Sequence, residues 1–76
     1  MNEISKLYAD LSDDEIKLSV REIKEAEKTG IFPDNSMVRK LCRETAKLTQ
    51  MDVSSNLLMV QINILKQASY RWLETF

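Results

Sequence analysis

Residues 11–30 read LSDDEIKLSVREIKEAEKTG, and this stretch decides the fold class. Ser12 and Glu15 stand in the S-x-x-E spacing of a capping box, where each side chain accepts the other residue's unpaired backbone N–H. Leu11 before the cap and Ile16 after it have the spacing of a hydrophobic staple. Asp13, Asp14 and Glu15 crowd the positive end of the helix dipole, and Lys24 and Lys28 lie toward its negative end. Asp13 with Lys17, and Arg21 with Glu25, are opposite charges at i, i+4. Gly30 is a natural left-handed stop, with Ile31 placed to fold back on Ala26, and Pro33 prevents continuation. The pattern predicts a helix over 13–29 whose buried stripe is Ile16, Val20, Ile23 and Ala26. Leu18 points away from that stripe and needs a separate partner.

The flanking sequence is helical too. Ile4, Leu7, Tyr8 and Leu11 fall at i, i+3, i+4 and i+7, one face of a short helix within 2–10. After the turn Pro33-Asp34-Asn35-Ser36, which offers three N-cap residues, a helix is expected over about 36–50. Its apolar face is Met37, Val38, Leu41, Cys42, Thr45 and Leu48. Asp52 or Ser54 caps a last helix, expected from about Ser54 nearly to Phe76. One Gly and one Pro among 76 residues leave too few turns for an all-β chain. The expected fold is therefore all-α: one small helical bundle, with three main helices and a short N-terminal one, spanning residues 1–76.

Composition narrows function mainly by exclusion. The chain has 43% hydrophobic and 30% charged residues, with 11 bases against 12 acids. That balance is unlike the basic excess of most free-standing nucleic-acid binders. It has no histidine, which removes the commonest general base and the commonest transition-metal ligand. Its single cysteine excludes an internal disulfide and any Cys-based zinc site. A reducing cytoplasm is expected, since a small secreted domain would normally be stapled. The start, Met1-Asn2-Glu3, lacks the pattern of a signal peptide, and no apolar run is long enough to cross a membrane. Asp13, Asp14 and Glu15 do not make a cation site, because consecutive helical residues point about 100° apart. No catalytic dyad, cofactor motif or metal set is present, so no enzyme is expected. Cys42, on an apolar face, reads as an inert core thiol. The small, unornamented chain suggests a bacterial or phage source.

Two features remain. Arg39, Lys40, Arg43 and Lys47 form a basic stripe opposite the apolar face of the middle helix, a possible contact for phosphates or an acidic partner. The plainer reading is a solvated face. The last helix is the most apolar segment. Leu58, Ile62, Leu65, Ser69, Trp72 and Phe76 alternate at four and three, a coiled-coil-like seam. Leu57, Ile64 and Ala68 form a second edge around Gln61. So wide a face exceeds what a small core can cover, and large exposed apolar patches mark interaction sites.

The stretch Ala46-Lys47-Leu48-Thr49-Gln50-Met51-Asp52-Val53-Ser54 resembles the turn of a helix-turn-helix, which often reads Ala, three residues, Gly, an aliphatic and Ser. Here Gln50 replaces Gly, and extra residues precede Val53. The would-be recognition helix opens Asn56-Leu57-Leu58-Met59-Val60, with no Arg or Lys before Lys66. Base edges are read by Arg, Lys, Asn or Gln, and only Asn56, Gln61 and Asn63 qualify. The sequence thus predicts a small cytosolic adaptor, regulator or inhibitor that binds protein through Leu58, Ile62, Leu65, Trp72 and Phe76, and a homodimer. The alternative is a nucleic-acid-binding regulator that uses the basic stripe.

Overall fold

A computed structural model describes residues 3–72. It contains four helices in chain order: α1 (Glu3–Ala9), α2 (Asp13–Thr29), α3 (Met37–Thr49) and α4 (Val53–Arg71). The all-α expectation holds, with the short helix first. The last helix stops earlier than its periodicity suggested. Trp72 leaves helical geometry at φ −139°, and its N–H closes the final turn on Ala68 O at 2.8 Å.

Helix starts follow side-chain chemistry. At α2 the capping box is complete: Glu15 N donates to Ser12 Oγ at 3.1 Å and Ser12 N donates to Glu15 Oε1 at 2.8 Å. That backbone N–H holds the Glu15 carboxyl below its usual range. Asp52 caps α4 through Ser55 N at 2.7 Å, and its carboxyl is lowered for the same reason. A carboxyl lowered by folding adds stability above its unfolded value and loses it as pH falls, so acid weakens both helix starts. Ser12→Ala should cost about 1 kcal/mol, the usual loss for an N-cap. For a domain of this size that is a melting point lower by roughly 4–8 °C. An unchanged melting curve would show that the cap does not anchor α2.

α2 ends at Gly30, left-handed at φ 77°, whose N–H donates to Ala26 O at 2.7 Å. Ile31 does not fold back as the sequence suggested. It stays exposed, and Phe32 is buried in its place. The predicted Asp13–Lys17 pair is also replaced by longer-range partners. Asp13 bonds Arg71 at 3.1 Å, and the Lys17 ammonium lies over the Trp72 ring at 5.1 Å.

The core draws on every helix: Tyr8 from α1, Ile16, Val20 and Ile23 from α2, Val38, Leu41 and Cys42 from α3, and Val60, Ile64 and Ala68 from α4. The predicted stripe of α2 is thus buried, with Ala26 packed at its margin and Ser19 added. Tyr8 reaches across to bond Thr45 Oγ1 at 2.7 Å, which satisfies both buried hydroxyls. The globule measures 34 × 34 × 17 Å. Its short dimension is about that of two packed helix layers, whose axes lie about 8–10 Å apart. A slab this thin covers α4 on one side only.

Candidate interaction surface

α4 carries two apolar faces, and the slab uses one. The inward face is Asn56, Val60, Ile64 and Ala68, all fully buried, flanked by Val53, Leu57 and Trp72. The outward face holds Leu58, Ile62 and Leu65, which are 69%, 45% and 42% exposed. Ser55 and Ser69 extend that row at either end and are exposed as well. Three members of the predicted seam, Leu58, Ile62 and Leu65, therefore stand together in solvent. Trp72 does not join them: it turns inward against the core and under Lys17. Phe76 lies outside the described residues.

Beside the exposed row runs a groove of about 570 Å³ between α1 and α4, lined by Ile4, Ser5, Leu58, Met59, Ile62 and Lys66 among others. The side chains of α1 set its far wall, because Tyr8 pins that helix to the core. Lys66 is the sole charge that α4 contributes to the groove. No acid lies between Asp52 and Arg71, so the row presents hydrocarbon and hydroxyls with one cation at its edge. Of the other exposed apolar residues, Leu18, Ile31, Leu48 and Met51 belong to other elements, and Tyr70 lies on α4 outside this row. Isolated residues of that kind are ordinary on protein surfaces.

The basic stripe is partly committed to holding the α2–α3 corner. Arg39 Nε donates to Phe32 O at 3.1 Å, and Arg43 Nη1 donates to Asp34 O at 3.3 Å. Lys47 pairs with Glu44 at 3.4 Å, and Lys40 is exposed. The start of α3 is closed to an outside anion. Both Glu22 oxygens accept from Met37 N and Val38 N at 2.9 Å, and Ser36 Oγ accepts from Arg39 N at 3.1 Å. Sequence reading did not single out Glu22, because nothing local ties residue 22 to residue 37.

The α3–α4 junction is a three-residue turn. Gln50 occupies the left-handed conformation at φ 59°, where Gly usually sits, and only Gln50, Met51 and Asp52 separate the helices. The side chains differ from a base-reading helix. Asn56 is fully buried, donates from Nδ2 to Asp52 O at 2.8 Å and accepts from Thr49 Oγ1 at 3.2 Å. Gln61 bonds its own helix through Leu57 O. These amides hold the turn and the helix.

Cys42 is fully buried. Burial pushes its thiol pKa up, against the opposing pull of Arg39 and Arg43. Thiol labelling of the folded protein should be much slower than in denaturant, and equal rates would place Cys42 at the surface. Among the described residues, no group of three His, Cys, Asp or Glu gathers to hold a metal, and no helix is long and apolar enough to cross a membrane.

Compared with known proteins, the chain matches no family model, no curated protein and no solved structure.

Proposed function

We propose that this is a non-enzymatic protein-interaction module: a small adaptor, regulator or inhibitor of a reducing cytoplasm that docks through the outward face of α4. The exposed row Leu58, Ile62 and Leu65 carries the reading. Burying a large aliphatic side chain contributes about 1.5–3 kcal/mol, so three in a row represent a substantial docking energy left unused in the isolated chain. The groove against α1 gives that row a shaped border.

Leu65→Lys tests the reading. At an exposed site the substitution should leave the fold itself intact, with any loss of stability beyond about 0.5 kcal/mol equal to the stabilisation that association supplied and dependent on protein concentration. It should abolish association, read by sedimentation of the purified chain and by capture of partners from the native host. Association that survives both Leu65→Lys and Ile62→Lys would remove the function from this face. Binding to bulk DNA that weakens steeply with salt would instead favour the basic side of α3.

A further inference from the structure

We infer that α1 is a detachable strap: it lifts as a unit from an otherwise folded α2–α4 body, and in lifting it uncovers the Cys42–Thr45 edge of α3. The inference concerns the chain alone and holds whatever meets the outward face of α4.

Among the described residues, α1 packs on α3 and α4 and not on α2. The other three helices pack on one another in all three pairs, so the body is closed without α1. Within α1 only Tyr8 is buried. Ile4 and Leu7 are half-buried, and the rest are exposed. Every other buried apolar residue of the core belongs to the body. Seven residues are too few to stay helical in water once that packing is lost. The start of α2 does not need α1, because its capping box closes within residues 12–15. Residues 10–12 between the two helices are therefore the hinge. A segment with so few buried contacts opens at a lower cost than the whole domain.

The fastenings are polar. The Tyr8 hydroxyl shares a 2.7 Å hydrogen bond with Thr45 Oγ1, and Arg71 donates to Tyr8 O and Ala9 O at 3.4 and 3.1 Å. Water takes over each of these groups once the helix lifts, so none is left orphaned in the core. Cys42 comes three residues before Thr45, hence on the same face of α3. Burial raises the Tyr8 phenol pKa, the Thr45 bond opposes the rise, and the neighbouring Cys42 thiol adds to it. The ring thus lies beside both residues. Burial also holds the Cys42 thiol pKa up, against Arg39 and Arg43. Those arginines stay on α3 when α1 lifts, so opening both uncovers the thiol and makes it more reactive. Lifting also removes Ile4 and Ser5, which wall the groove beside α4.

Cys42 is the reporter. The purified full chain is labelled with a small aromatic disulfide at urea concentrations below the unfolding transition. The rate should be nearly flat in urea, since lifting α1 exposes little surface, whereas global unfolding carries the full slope. Arg71→Ala should raise the rate roughly 30-fold, the equivalent of losing the clamp, with Arg71→Lys in between. Ile23→Val should leave it unchanged. Ile23 is buried on α2, which α1 does not touch, so the change weakens the closed and lifted states equally. Amides of α1 should exchange ahead of those in the other helices. A rate that climbs with the full urea slope and rises several-fold with Ile23→Val would show that only global unfolding reaches Cys42, which overturns the strap. Amides of α1 as protected as those of α2 would overturn it equally. Early exchange in α1 with a thiol that still waits for global unfolding would overturn the uncovering of Cys42.

Discussion

Ile64→Ala is expected to bring the protein close to unfolding, although the neighbouring Leu65 can become lysine with the fold intact. Ile64 is fully buried in the core shared by all four helices. Truncating a buried isoleucine to alanine costs about 2–5 kcal/mol, the lost transfer energy plus the cavity left behind. Domains have roughly 0.05–0.15 kcal/mol of stability per residue, so a chain this short has about 4–11 kcal/mol to lose. The upper half of the cost should apply here. The cavity would open at the centre of a slab only 17 Å thick, between helices joined by short turns. Thermal or urea unfolding of Ile64→Ala and Leu65→Lys, side by side, provides the measurement. A loss below about 1 kcal/mol for Ile64→Ala, the range of a tolerant site, would mean that α4 does not pack through this face.

This contrast between neighbours marks the limit of what the sequence shows. α2 was legible because its signals agree. A capping box, a left-handed glycine and one apolar stripe define a single helix with a single inner face. α4 has apolar residues on both sides, and periodicity alone does not say which side meets the core. The seam with the cleaner heptad spacing, through Leu58 and Ile62, lies outside. The inner face includes Asn56, which reads as polar surface in the sequence. It is buried because its amide ties Asp52 and Thr49 at the turn. A buried polar group with its partners supplied is stable, and those partners lie in an adjoining element. Ile31 and Phe32 show the same limit on a smaller scale: either could follow Gly30 into the core, and the larger side chain does. Trp72 fitted the outward seam by spacing, but it comes one residue after α4 ends and follows the backbone inward.

Arg71→Ala should cost about 2 kcal/mol, through contacts invisible in local sequence. α1 is only seven residues long and too short to hold its shape alone. Its last carbonyls have no partner within the helix. Arg71 supplies one from the far end of the chain: Nη2 donates to Ala9 O at 3.1 Å and Tyr8 O at 3.4 Å, and Nη1 reaches Asp13 Oδ1 at 3.1 Å. Nε is held by Gln67 Oε1 at 3.3 Å, which fixes the direction of the fork. A guanidinium can span such a set, whereas an ammonium is a single point charge. The carbonyl contacts should dominate. Hydrogen bonds from a charged donor contribute about 1.5–3 kcal/mol, and these close the negative end of a helix. The Asp13 pair should add little, since that carboxylate is 66% exposed and solvent screens it. Asp13→Asn should therefore be nearly neutral in a urea melt, with Arg71→Lys between it and Arg71→Ala. Amide exchange should speed up first in α1 of the Arg71→Ala protein, because Tyr8 is the only fully buried residue still anchoring that helix. If Asp13→Asn proved as costly as Arg71→Ala, the ion pair would be the working contact. The clamp on the α1 carbonyls would then be incidental to the fold.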